Sequence, residues 1–206
     1  MIFSEEDLTM LRNRVSTRLS DKRYAHTLAV ADCAARLSEM CFPEEKSEIT
    51  AAALLHDITK EITLSEQRAL LDEGGISLDS EDFESVGVLH SFTAPILVKR
   101  EFSDFATESV LSAIRYHTLG APDMSVFDEI IFLADFIEDT RTYESSVKLR
   151  KFVWESMQSG QIQNNILILH TACIRAIDFT VLNLIENKKK INSKNILTRN
   201  ALLSKI

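Results

Sequence analysis

A chain of 206 residues with 45% hydrophobic side chains, five glycines and three prolines can bury the core of one domain and favours long helices over a turn-rich strand fold. Its net charge of −8 excludes the broad positive surface that a nucleic acid polymer needs. Cys33, Cys41 and Cys173 are odd in number and form no C-x-x-C pair; with no N-terminal signal and no apolar run near 18 residues, the expectation is a soluble, cytoplasmic protein with reduced thiols and no membrane partner.

Ser4, followed by Glu5, Glu6 and Asp7, predicts a helix start, with the helix reaching about Leu19. Asp21 is expected to cap a second helix that runs to Cys41. Pro43 suits the first turn of a third, carried through His56 to about Lys60. Thr63 or Ser65 caps a short fourth, stopped by Gly74 and Gly75. Ile76 to Ser85 is polar and acidic and takes no assignment. A helix then begins between Val86 and Thr93 with Pro95 in its first turn, and another runs from Asp104 to near His117. Thr118 to Val126, with Gly120 and Pro122, reads as a loop. Helices follow over Asp128 to about Asp139, Tyr143 to Met157 and, after a break at Ser159-Gly160, about Gln161 to Lys189. The fold class is all-α: residues 1–190 as one helical domain, with 191–206 a polar, basic C-terminal tail read as a solvated end.

The stretch Ala51 to Lys60 organises the chain. On a helix it is apolar almost all round, which marks a buried element, yet it contains His56 and Asp57. A buried His and Asp side by side are costly unless something satisfies both, and a divalent metal does so. On a helical wheel His26 aligns with Val30, Cys33, Leu37 and Met40; His56 with Ile49, Ala52 and Ala53; His90 with Val86, Ala94 and Leu97; and His117 with Ala106, Val110 and Ala113. His170 also points inward, with Ile166, Cys173 and Ile177, so the wheel does not separate ligand from bystander. Four inward imidazoles from four helices still need partners, and a metal satisfies several at once. Imidazole and carboxylate donors without thiolate suit Fe, Mn or Zn at a site with open positions. By the wheel alone Asp135 falls with Asp128 and Asp139, a solvated acidic face.

The ordered set His26, His56-Asp57 and Asp135 resembles the HD superfamily of metal-dependent phosphohydrolases. The surrounding words Lys22-Arg23-Tyr-Ala-His26-Thr27, Leu54-Leu-His56-Asp57-Ile-Thr-Lys60, Ala113-Ile-Arg-Tyr-His117-Thr118 and Leu133-Ala-Asp135-Phe-Ile-Glu-Asp-Thr-Arg141 look like the bacterial YqeK-type symmetrical bis(5′-nucleosyl)-tetraphosphatases. The resemblance covers about Arg23 to Arg141 and implies an HD-domain helical fold with its metal-site core at about 21–141. It implies metal ligands His26, His56, Asp57 and Asp135, with iron as one or two ions, Mn and Zn remaining open. It places substrate contacts on Arg23, Lys60, His90, His117 and Arg141, with His90 and His117 as alternative ligands of a second ion. Where the family pattern has Glu-Pro-x-Arg, this chain has Glu138-Asp-Thr-Arg141, which predicts a helix running slightly further.

The implied chemistry is symmetric cleavage of diadenosine tetraphosphate to two ADP by a metal-activated water. Asp57 would ligate metal and accept the water's proton or bridge two ions. Lys60, one helical turn after His56, and Arg141 would take up phosphoryl charge, and His90 or His117 is the candidate general acid where it is not a ligand. Three alternatives stand beside it: a nucleotidase or phosphodiesterase acting on another nucleotide, a non-catalytic nucleotide sensor, and a plain helical interaction domain with buried histidines. The partner expected is a small-molecule nucleotide; a homodimer is left open.

Overall fold

The computed structural model describes residues 3–84 and 86–206; Met1, Ile2 and Ser85, the last residue of the unassigned acidic stretch, lie outside them. The described residues contain no strand. Their helices are α1 (Glu5–Ser16), α2 (Asp21–Cys41), α3 (Lys46–Leu55), α4 (Leu64–Glu73), α5 (Ser80–Glu84), α6 (His90–Glu101), α7 (Glu108–Tyr116), α8 (Val126–Ile137), α9 (Glu144–Ser156), α10 (Ile162–Glu186) and α11 (Ser193–Leu203).

Side-chain caps set most of the starts. Ser4 with Asp7, Thr63 with Glu66 and Ser125 with Asp128 form reciprocal capping boxes, each hydroxyl accepting from the third backbone N–H while the acid reaches back. Three expected starts are corrected by the same chemistry. Ser20, not Asp21, caps α2 by accepting from Arg23 N–H. Thr107, not Asp104, caps α7, because Ser103–Phe105 forms only a 3-10 turn. Ser125 places the start of α8 at Val126, ahead of Asp128. Pro95 lies inside α6 rather than in its first turn, where its missing N–H interrupts the hydrogen-bond ladder without ending the helix.

Helix α3 sits at the centre, packed against α1, α2, α7 and α8. Its residues Ala51, Ala52, Ala53, Leu54 and Leu55 are fully buried, and the three alanines let neighbouring backbones approach closely. The helix stops at Leu55 instead of continuing to Lys60: the His56 ring donates from Nδ1 to the Ala53 carbonyl at 2.6 Å, taking up a helix-end acceptor, and the chain turns over residues 56–61. Likewise α8 ends at Ile137, with Glu138 extended at ψ 157°, so it does not run further toward Arg141.

Two expectations about the C-terminal part change. The sequence reading finds no apolar run near 18 residues, but α10 contains an 18-residue window of mean hydropathy 1.5, enough by length and composition to cross a membrane. In this fold α10 packs against α2, α8, α9 and α11, and it buries Asn165 and His170 among the apolar residues of that face. The segment read as a solvated tail holds α11, which lies on α10 and buries Asn195, Thr198 and Leu202. Asn195 Nδ2 and Thr198 Oγ1 both donate to the Leu119 carbonyl at 3.3 Å, tying α11 to the loop after His117.

That tie depends on Gly120, whose φ of +72° is a left-handed value and whose Cα faces Thr198: a Cβ there would meet Thr198 Cγ2 at 2.4 Å. Gly120→Ala is expected to destabilise the protein by about 1–3 kcal/mol, read as a lower midpoint in thermal or urea unfolding. Measured against Thr198→Ala alone, which loses the hydrogen bond to Leu119, adding Gly120→Ala should cost less than it does in wild type, because the clash with Cγ2 is gone and the backbone cost remains.

Candidate metal centre

The ends of helices converge on one buried carboxylate. His26 comes from α2, His56 from the C-cap of α3, Asp57 from the turn after it, His90 from the first residue of α6, His117 from the C-cap of α7 and Asp135 from the last turn of α8. Asp57 is buried in their midst. Its Oδ2 lies 2.8 Å from Arg23 Nη1, 3.4 Å from His56 Nε2 and 3.7 Å from His26 Nε2; its Oδ1 lies 3.2 Å from His90 Nε2 and 3.8 Å from His117 Nε2. The cluster is therefore elongated, with Asp57 spanning two groups of imidazoles.

Three rings are aimed by their outer nitrogens. His56 Nδ1 donates to the Ala53 carbonyl at 2.6 Å and His117 Nδ1 to the Ile114 carbonyl at 2.7 Å, the same use of a free helix-end acceptor three residues back. His26 Nδ1 lies 3.1 Å from the buried Glu138 carboxylate. Each ring thus turns Nε2 toward the centre, the arrangement by which outer partners orient metal-binding histidines. The Nε2 atoms of His26 and His56 are buried and have no hydrogen-bond partner. His26 Nε2 is 3.1 Å from Asp135 Oδ1, close enough for charge attraction but not aligned for a hydrogen bond. Buried nitrogens left in this way fit a cation bound between them.

Three sets of ligand atoms lie within 4.8 Å of one another: His26, His56 and Asp57; His56, His117 and Asp135; and Asp57, His90 and His117. All four ligand positions expected from the sequence are brought together, and His90 and His117 join them. His170 belongs to none of these sets: its Nδ1 lies 2.6 Å from Glu129 Oε2, whose other oxygen accepts from Lys205 Nζ at 2.8 Å. Asp135 is not on a solvated face. Its carboxylate accepts from Arg141 Nη2 at 2.7 Å, while Asp128 is buried in its capping box and only Asp139 faces water.

The cations surround the cluster. Arg23 pairs with Asp57, and Arg141 with Asp135, its Nε also donating to the Asp135 carbonyl at 3.0 Å. Arg150 donates to the Glu138 and Arg141 carbonyls, which fixes the chain after α8. Lys60 reaches the centre although α3 ends before it. A turn closed by Lys60 N–H on the Asp57 carbonyl carries Nζ to 3.2 Å from His90 Nδ1. Because His117 Nδ1 carries the proton given to Ile114, its Nε2 is the acceptor toward His90 Nε2, 2.9 Å away. Thr118 Oγ1 is 3.0 Å from His117 Nε2 and 3.3 Å from His90 Nε2.

The local field splits the histidines. Burial lowers His26, but the Asp135 and Glu138 carboxylates outweigh it and raise the ring to about 9. Burial, with His90 and His56 nearby, lowers His117 to about 3, and burial also lowers His90. Burial raises Asp57 and Asp135, yet the imidazoles around them, with Arg141 beside Asp135, hold both well below the usual carboxylate range. A site role for Thr118 and the orienting role of Glu138 are not among the sequence-based expectations. Thr118 follows His117 directly, and the three-residue spacing of Glu138 from Asp135 is the signal that could have found it.

The chain belongs to the HD domain family, whose model matches residues 23–138. It is 35% identical over 138 residues to a symmetrical bis(5′-nucleosyl)-tetraphosphatase of Halalkalibacterium halodurans, covering 66% of this chain and 71% of that one. A Bacillus subtilis protein of the same name is 28% identical over 190 residues, 92% of this chain and 94% of the relative. A crystal structure described as a predicted HD superfamily hydrolase involved in NAD metabolism, from Clostridium acetobutylicum, matches over the whole of both chains with a TM-score of 0.82 and 28% identity.

In metal-free protein the stabilising contribution of charged His26 is complete below about pH 6.5 and is lost as pH rises through about 9. A cation held by His26 would have to displace that proton. Manganese affinity should therefore rise between pH 7 and 9, measured as free Mn²⁺ by electron paramagnetic resonance, and the rise should flatten in His26→Gln. Glu138→Ala is expected to weaken metal binding by about 10- to 100-fold while leaving the helical circular dichroism unchanged.

Proposed function

We propose that this chain is a metal-dependent hydrolase of dinucleoside polyphosphates that cleaves diadenosine tetraphosphate symmetrically to two ADP. The observation that carries the chemical part is the buried Nε2 pair of His26 and His56, without aligned hydrogen bonds, facing the Asp57 and Asp135 carboxylates. The substrate is supported by relatives that carry the name symmetrical bis(5′-nucleosyl)-tetraphosphatase. His26, His56, Asp57 and Asp135 would hold the first ion, and His90 and His117 with Asp57 a second. Iron is the ion implied by the resemblance, and the imidazole-carboxylate donors suit it, as they suit Mn or Zn. When bound, a divalent cation supplies a Lewis acid that brings water's pKa toward about 7 and offsets charge on phosphoryl oxygens.

The chain's own residues do the rest. Asp57, held ionised by Arg23 and the imidazoles, is the acceptor for the attacking water's proton. Arg23 holds Asp57 through Nη1 and Arg141 holds Asp135 through Nε and Nη2, which leaves Nη2 of Arg23 and Nη1 of Arg141 as the donors that would meet phosphate oxygens. Lys60 adds a point charge beside His90. His117 presents a lone pair inward, which favours the ligand role over the general-acid role. His90, with Lys60 Nζ 3.2 Å from Nδ1 and 3.3 Å from Nε2, is the candidate proton donor toward a leaving phosphate where no second ion occupies it; burial lowers its pKa, so the cationic Lys60 beside it shares that role. With this donor set complete, the sensor reading is not favoured. A cytoplasmic location and a nucleotide as the small-molecule partner, with neither nucleic acid polymer nor membrane, complete the proposal.

Digestion of diadenosine tetraphosphate should yield ADP alone by ion-exchange chromatography; ATP with AMP would overturn symmetric cleavage. In parallel, metal quantitation of wild type, His56→Ala and Asp57→Ala should show stoichiometric metal only in wild type, with turnover in the two variants reduced to that of chelator-treated protein. A variant that keeps both metal and turnover would refute the site.

A further inference from the structure

Two cavities open beside the metal centre, one at each end of it. The first, about 600 Å³, is lined by Gly87, Thr118, Leu119, Thr180, Leu184 and Asn195 among others. Thr118 connects it to His90 and His117. The second, about 320 Å³, is lined by Asp135, Phe136, Arg141, Tyr143, Phe179 and Thr180 among others. Asp135 connects it to His26. A shallower groove of about 420 Å³ continues the second cavity past Tyr143, Phe179 and Asn183. Thr180 lines both cavities and stands between them.

Each cavity is large enough for a nucleoside, since small-molecule sites run from roughly 300 Å³ upward. Their linings differ in kind. In the second, the rings of Phe136 and Phe179 stack at 6.5 Å and 11°, and exposed Tyr143 stands at the mouth, a surface on which a flat base can stack. In the first, Leu119 and Leu184 supply apolar wall, and the Asn192 and Asn195 amides at its edge are held by Asp82 and by the Leu119 carbonyl. Thr118, beside His90 and His117, and Asp135, beside His26, tie the two cavities to opposite ends of the cluster whose central carboxylate is Asp57.

We infer that the two cavities are paired nucleoside subsites, each taking one end of a dinucleoside polyphosphate so that the middle of the phosphate chain lies over Asp57. The inference rests on the proposed reading of the site and adds what selects a two-ended substrate and places the break at its centre. The selecting surface is the second half of α10: Phe179, Thr180, Asn183 and Leu184 line the cavities, and all four lie outside residues 23–138.

The test is the number of ADP molecules bound per chain. Manganese-loaded wild type titrated with ADP in a calorimeter should bind two per chain, and Leu184→Trp, which fills the first cavity, should bind one. Phe179→Ala should weaken the other ADP by on the order of tenfold, the loss expected for one stacked base. One ADP per wild-type chain would overturn the pairing, and this result does not depend on any variant folding. So would equal weakening of both ADP molecules by each variant, with helical circular dichroism unchanged. Two ADP per chain with no cleavage of diadenosine tetraphosphate would refute the proposed function and leave the paired subsites standing.

Discussion

The structure depends on keeping one buried carboxylate ionised. Asp57 lies at the end of the most deeply buried helix of the fold, where an unpaired charge costs several kcal/mol. Four imidazoles and one guanidinium converge on it from other elements or from its own neighbour, and each arrives at the end of a helix or close to one. Removing Arg23, His56 or His90 leaves the carboxylate less compensated. The helices are therefore constrained to meet at their ends around this point, rather than to cross at their middles.

The device that aims the histidines is economical in residues. An α-helix leaves its last carbonyls without donors. At the ends of α3 and α7 a histidine supplies that donor from Nδ1, and the same hydrogen bond fixes the tautomer and turns Nε2 inward. One interaction thus ends the helix, satisfies a buried acceptor and orients a ligand atom. Because α3 stops there, the chain is free to turn and bring Lys60 back beside His90, which a continuous helix would not have done by the same route.

The parts of the molecule that carry chemistry and the parts that shape the space around it are separate in the chain. The charged centre comes from α2, α3, α6, α7 and α8 and the short turns after them. The walls of both adjoining cavities come largely from α10, α11 and the segments after α5 and α8. Helix α11 lies against the loop after His117, where Gly120 permits the close approach, so the C-terminal segment supports the centre as well as its surroundings.

Much of this was legible in the residues. The apolar run Ala51 to Leu55 required burial, and His56-Asp57 at its end required a partner of opposite character; capping residues and glycines located most helix boundaries. The convergence of His26, His56, Asp57 and Asp135 was legible only through family resemblance, because helical periodicity placed His170 inward on equal terms and Asp135 on a solvated face. The tertiary structure decided those cases: Glu129 occupies His170, whereas Asp135 meets His26 and Arg141. It also decided that the C-terminal segment is a helix packed on α10, and that Glu138 and Thr118 belong to the centre. The physical reason is the same each time. Periodicity within one helix reports which way a side chain points, while its partner is set by another element far away in sequence, and only the packed fold brings the two together.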